Sequence, residues 1–351
     1  MIDTEKRSAR YGAAILIFAV LLRLVVGFTT ARVEAAASET VQQGSFLPHR
    51  PNGGLSVSTG PTQMTTLPVW TTAPTMPPTT MPTVPETQPM VPQKPPGFSF
   101  TVADMGNVKL QYGTDCGYRA DLQTVLLDHI DWQLNSGEPT VLILHSHATE
   151  SYTRQPGEAY LETDAYRTTD TAYNMVAVGD VLAAQLEAMG IVVIHDRENH
   201  DYPSYSAAYS NSRKSVEAYL QQYPSIQVVL DLHRDAALNA DGSQYATAAT
   251  VGGQRSAQIM LVVGTDWLGG NHPNWQENLS LALKLQVLLE QENPGITRRT
   301  VLRGSIFNQN LSAGMLIVEV GTAGNTMAEA LRAISPLAKA IAALTYGANT
   351  L

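Results

Sequence analysis

Five short apolar runs, each closed by a polar turn, constrain this chain more than any other feature. They are Val141 to His145 (VLILH), Ile191 to Asp196 (IVVIHD), Val228 to His233 (VVLDLH), Gln258 to Gly264 (QIMLVVG) and Met315 to Gly321 (MLIVEVG). A strand with one solvated face alternates apolar and polar residues, whereas near-continuous runs suit strands buried on both faces. Helix-length segments lie between them. Ala172 to Met189 carries a stripe of Met175, Val178, Leu182 and Leu186 and ends at Gly190; Asn274 to Glu292 stops at Asn293-Pro294-Gly295; Thr326 to Tyr346 reads as a closing helix. The alternation predicts an α/β domain of three layers, with a mostly parallel central sheet flanked by helices.

Before residue 98 the sequence is of another kind. Of the 20 prolines, 13 fall between Pro48 and Pro96, in a stretch dominated by Thr, Pro and Met. Such a stretch lacks the apolar area to offset the entropy of ordering and reads as a disordered stalk over residues 34–97. Ahead of it, Lys6, Arg7 and Arg10 precede an apolar run from Tyr11 to Phe28. The run is close to the ~20 residues that cross a bilayer, and the positive flank sets a cytoplasmic N-terminus. Arg23 lies near the outer end, where its side chain can snorkel to the interface. Residues 1–33 are therefore expected to form a signal anchor, or a signal peptide cleaved near Ala35, Ala36 and Ala37. The expected location is the cell membrane, single-pass, with residues 98–351 as an extracytoplasmic catalytic domain.

That domain carries 15 Lys+Arg against 26 Asp+Glu, a net charge of −11. A nucleic-acid binder needs a clustered basic surface to displace phosphate counterions, so nucleic acid is excluded as a partner. The single cysteine, Cys116, rules out an intramolecular disulfide and a four-cysteine zinc site. No G-x-S-x-G elbow is present, and Gly252-Gly253 and Gly269-Gly270 lack the spacing and the downstream Lys of a phosphate loop.

Ligands of open α/β sheets collect at the carboxyl ends of the strands. Three runs bring acid/base or metal-binding side chains there: His145-Ser146-His147-Ala148-Thr149-Glu150, Asp231-Leu232-His233-Arg234-Asp235, and Glu319 within Ile317-Val318-Glu319-Val320. Two imidazoles and a carboxylate with one open position are a usual catalytic zinc set. His147 and Glu150 are three apart and can meet one ion from a single turn, while His233 arrives from a separate strand end. His145 competes with His147, or orients a ligand through its other ring nitrogen. A carboxylate in an apolar strand is costly unless paired, protonated or facing a polar site, so Glu319 calls for a function. His129, His195, His200 and His272 read as surface or structural residues.

The stretches Leu142 to Tyr152 (LILHSHATESY), Val229 to Asp235 (VLDLHRD) and Phe307 to Gly321 (FNQNLSAGMLIVEVG) resemble the stage II sporulation protein P family. The resemblance implies a membrane-anchored peptidoglycan hydrolase with a zinc N-acetylmuramoyl-L-alanine amidase fold and a cross-link-cleaving endopeptidase activity. It also implies, as partners, a lytic transglycosylase and a small multispanning membrane protein of the septal engulfment machinery. In the wider amidase group a carboxylate ligand opens the first long helix, but that position here falls near Asp170 to Ala172, with no Glu. Carried over residue by residue, His147, Glu150 and His233 would hold the ion, with Asp170 as the alternative carboxylate, and Glu319 would be the catalytic acid/base. Arg234, Asp235, Asn308 and Gln309 are candidates for orienting ligands or binding the stem peptide. Two rival classes are a cell-wall binding protein on an inactive amidase fold and a zinc carboxypeptidase.

Overall fold

The computed structural model describes residues 100–130 and 132–345, all within the unit that runs from Pro85 to Leu351. The strands are β1 (Leu110–Tyr112), β2 (Pro139–Leu144), β3 (Val192–His195), β4 (Val228–Asp235), β5 (Ala249–Val251), β6 (Gln254–Ser256), β7 (Ile259–Val263), β8 (Thr300–Leu302) and β9 (Met315–Thr322). The helices are α1 (Leu122–Leu127), α2 (Met175–Ala188), α3 (Ala208–Gln222), α4 (Trp275–Glu292) and α5 (Met327–Leu344). All five apolar runs are strands of one sheet, ordered β1-β8-β7-β9-β4-β2-β3. Every neighbouring pair is parallel except β7 and β9. Two parallel blocks thus meet with opposite senses, and β5 with β6 forms a separate antiparallel hairpin.

Side chains alternate across the sheet, and the two faces are covered unequally. Val141, Ile143, Leu230, Leu232, Leu261, Val318 and Val320 point to one face, where they pack with Met175 and Leu182 of α2, Leu279 and Leu283 of α4, and Ile334 and Leu337 of α5. On the other face Leu142, Leu144, Val229 and Met315 meet Val216 of α3. Beyond α3 that face bears a small cluster of Met260, Val262 and Ile317, backed by Val301 and Phe307. The third layer is thus a single helix covering half of its face, which leaves a cleft over the β7–β8 side.

Asn174 caps α2 by accepting the Val176 N–H at 3.0 Å, and Thr326 with Glu329 forms a capping box at the start of α5. The sequence stripe locates α2 well, but α3 escapes it. Its buried residues, Ala208, Ser212 and Val216, form a stripe one residue wide and only partly apolar.

One position fixes how closely α2 approaches the sheet. A side chain at Gly179 would occupy the space held by the imidazoles of His145 and His195.

The single-pass membrane location expected from the sequence is corrected here. Among the described residues no helix is long and apolar enough to cross a membrane. The run from Tyr11 to Phe28 and the Thr/Pro-rich stretch lie outside the described residues.

Because Gly179 admits no Cβ, Gly179→Ala should lower stability by about 1–3 kcal/mol, the usual cost of overpacking. Urea unfolding of the two proteins measures the difference, and equal midpoints would show that the helix can shift without penalty.

Candidate active site

Parallel pairing of β2 and β4 sets Leu144 beside Asp231, so the segments leaving both strands emerge together. His147 and Glu150 come from the turn after β2, and His233 from the end of β4. Their ligand atoms lie within 4.8 Å of one another. Glu150 sits between the imidazoles, with His147 Nδ1 3.6 Å from its Oε1 and His233 Nδ1 3.5 Å from its Oε2. Four ligands about 2.0–2.1 Å from a tetrahedral zinc stand roughly 3.4 Å apart. The observed separations are longer than a good hydrogen bond and match that edge, so these three residues fit a cation of zinc's size.

Several groups hold the carboxylate in place. Arg167 donates to Glu150 Oε1 at 3.2 Å, and the Arg234 backbone N–H donates to Oε2 at 3.1 Å. Burial works to raise the pKa of Glu150, but the His147 and His233 imidazoles and the Arg234 charge hold it well below the ordinary carboxylate range. Arg167 is itself fixed by Asp201 at 2.8 Å, and its guanidinium lies 4.7 Å above the Tyr205 ring. Tyr205 in turn stacks on His147 with ring centroids 4.7 Å apart.

Behind His233 stands Asp231, two residues earlier on the same face of β4. Its Oδ1 lies 2.9 Å from His233 Nε2, an ionic contact too bent for a regular hydrogen bond. Asp231 also accepts the Ser146 N–H at 2.7 Å and the Ser146 hydroxyl at 2.6 Å. Burial alone would push His233 down, but Asp231 and Glu150 raise it well above the usual imidazole value. The contact turns Nε2 toward Asp231 and leaves Nδ1 facing Glu150, the arrangement that carboxylates impose on metal-binding histidines.

Glu319 is the direct neighbour of His233 across the β4–β9 pairing. Burial raises it to about 8, against the opposing pull of His233 and with reinforcement from Glu150 and Asp235. Among the described residues its Oε2 has no hydrogen-bond partner. The carboxyl lines a cleft of about 540 Å³ walled by Tyr209 and Phe307. An unpaired proton-binding group at the edge of a cavity, one strand from a cation-sized cluster, has the placement of a general acid/base.

The other sequence candidates divide. His145 turns to the opposite face, 2.9 Å from His195 Nε2 and 3.2 Å from the Leu232 carbonyl, and burial with the nearby His195 pushes it down to about 3. Asp170 is exposed and caps a turn through the Ala172 N–H at 3.1 Å, away from the cluster. Arg234 reaches back to the carbonyls of Ser151 at 3.0 Å and Tyr166 at 2.9 Å and so secures the Glu150 segment. Asp235 lines the cleft and pairs with Arg298 at 2.6 Å. Asn308 donates to the Tyr209 carbonyl at 2.8 Å, while Gln309 spends its amide on the backbone of Val262 and Gly264, both at 2.9 Å. Phe307 and Asn308 hold φ of 51° and 61°, a left-handed pair at the cleft wall.

Sequence reasoning missed Arg167, Asp201, Tyr205 and Tyr209, which come from loops and from a helix with no strong pattern. Asp231 carried a signal, since it stands two residues before His233 in an otherwise apolar strand.

The sequence matches the family described as stage II sporulation protein P (SpoIIP) over residues 86–342. The chain belongs to that family. The SpoIIP match includes every site residue named above. Stage II sporulation protein P of Bacillus subtilis (strain 168) is 29% identical over 228 residues, 62% of this chain and 54% of that protein. The chain thus aligns with about half the length of that relative. Among solved structures, the N-acetylmuramoyl-L-alanine amidase AmiC2 of Nostoc punctiforme is 12% identical, covering 57% of this chain and 94% of that one at a TM-score of 0.35. The amidase of Clostridium difficile 630 is 13% identical over 59% and 96%, TM-score 0.35. Ami1 of Mycobacterium smegmatis is 10% identical over 59% and 97%, TM-score 0.37. These three are distant likenesses.

The Glu319 shift has a thermodynamic consequence for metal-free protein. A carboxyl raised to about 8 on folding keeps its proton in the native state while the unfolded chain releases it near the ordinary 4.5. Stability therefore falls as pH rises between those values, by at most about 1.4 kcal/mol per unit, and levels off above them. Chelator-treated Glu319→Gln should escape this loss, so its stability advantage over the parent should widen from pH 5 to 8. A constant difference in urea titrations across that range would mean that Glu319 titrates normally.

Proposed function

We propose that this SpoIIP-family chain is a zinc-dependent peptidoglycan hydrolase that cleaves the amide between the muramoyl group and L-alanine. The observation that carries the reading is the cluster of His147, Glu150 and His233 at ligand-to-ligand spacing, with the unpaired Glu319 beside it on the cleft. Family membership supports the cell wall of a sporulating cell as the setting. Cleavage of peptide cross-links, and work alongside a lytic transglycosylase and a multispanning membrane protein, belong to the same reading through the family.

In this reading His147, Glu150 and His233 hold the zinc. Zinc, when bound, lowers the pKa of a coordinated water toward ~7 and polarises the amide carbonyl. Glu319 accepts the proton of the attacking water as the carbon–oxygen bond forms. It then delivers that proton to the amide nitrogen as the carbon–nitrogen bond breaks, so that the nitrogen leaves as a neutral amine and not as a strongly basic anion. Asp231 keeps the His233 ring from rotating, and Arg167 and Arg234 hold Glu150 in place. Tyr209 and Phe307 flank the approach to Glu319.

Two variants separate binding from chemistry. His233→Ala should lose most zinc by elemental analysis while its circular dichroism stays that of a folded protein; full zinc content would remove His233 from the ligand set. Glu319→Gln should keep its zinc but slow hydrolysis of purified peptidoglycan by ~100-fold or more, the usual scale of general acid/base catalysis. Near-parental release of stem peptides, followed by mass spectrometry, would make the carboxylate structural.

A further inference from the structure

The open half of the sheet is not a neutral surface. Side-chain alternation sends Leu302 and Thr300 of β8 into the core and turns Val301 to the open face. Arg299 and Arg303, two residues to either side of Val301, share its direction. On β1, Leu110 and Tyr112 pack inward, so Lys109 and Gln111 face the same way as the arginines. Lys109, Arg298, Arg299 and Arg303 all line the cleft that Glu319 borders. In a domain with net charge −11 this is a local reversal of sign.

Three of the four cations are already neutralised. Lys109 pairs with Glu290 at 2.7 Å, Arg298 with Asp235 at 2.6 Å and Arg303 with Asp115 at 3.0 Å. Arg299 is exposed and has no ion-pair or hydrogen-bond partner among the described residues. Its position relative to the chemistry follows from strand register. Glu319 pairs across to Met260, and the Ile259–Thr297 bridge and the Val262–Val301 pair, whose offsets differ by one residue, enclose a bulge in the segment leading into β8 that sets Arg298 and Arg299 beside Met260. Two strand spacings of about 4.8 Å therefore separate Glu319 from Arg299, roughly 10 Å. An extended peptide covers that distance in about three residues.

We propose that Arg299 is the anchor of a carboxylate subsite, which binds a free carboxylate of an acidic peptide about three residues from the bond that is cut. A planar guanidinium binds carboxylate through two parallel hydrogen bonds and is the group suited to this task. Met260, Val262 and Val301 give the intervening residues an apolar floor that accepts small side chains but no charge. The inference rests on the proposed hydrolytic reading of the neighbouring site, yet concerns recognition and not bond cleavage.

The test uses zinc-loaded full-length protein in the Glu319→Gln background, so that nothing is turned over, and two probes. One is an N-acylated tripeptide with free carboxylates and the other is its fully amidated counterpart. Calorimetric titration should show the acidic peptide binding at least tenfold more weakly after Arg299→Gln, the scale of a lost charge-assisted hydrogen-bond pair. Arg299→Lys should fall between, and the amidated probe should not distinguish the variants. Equal affinity for both probes, or equal loss on both, overturns the subsite, as does failure of the acidic probe to bind. In the otherwise unaltered enzyme, Arg299→Gln should raise KM on acidic muropeptides and leave kcat within about twofold, since the residue is remote from the reacting bond. If the parent cleaves no peptidoglycan, the hydrolytic reading fails while the titrations still decide the subsite.

Discussion

The structure turns on one buried carboxylate. Glu150 is shared by two imidazoles, an arginine side chain and the Arg234 backbone, which come from three separate parts of the chain. Burying that charge without partners would cost several kcal/mol, so the fold must bring all of them together at once. Parallel pairing of β2 with β4 supplies the two histidine segments; the loop ahead of α2 supplies Arg167. A cation at the centre of this cluster would be held by groups whose positions the sheet has already fixed.

The same carboxylate explains why two acids of one site behave differently. Glu150, surrounded by positive groups, stays ionised, whereas Glu319 faces an apolar strand and the negative Glu150 and Asp235 and retains its proton into the neutral range. The environment, not the side chain, decides which of the two holds a charge and which holds a proton.

Much of this was legible in the sequence. Continuous apolar runs are hard to mistake once they recur five times, and a His or Glu that interrupts one is conspicuous because burial is costly there. Strand order and the reversed β7–β9 pairing left no mark, since a buried run reads alike in either direction. The short strands β1 and β8 were missed because three residues carry no periodicity. His145 and His147 could not be separated by spacing alone; the turn after β2 decides which face each imidazole serves, by sending one ring against α2 and the other toward Glu150. Arg167 and the tyrosines of the α3 region were out of reach because their partners lie far away in sequence.

The reversal between β7 and β9 has a further meaning. At the edge of the sheet where β9, β4 and β2 finish, β7, β8 and β1 begin, so residues leading into strands stand beside residues leaving them. The segments that end strands are locked into the mutual contacts of the acid cluster, and few substitutions are open to them. Arg299, which precedes β8, touches none of those partners. In the proposed reading, exchange of a strand-leading residue changes what the cleft binds without disturbing the contacts of the acid cluster.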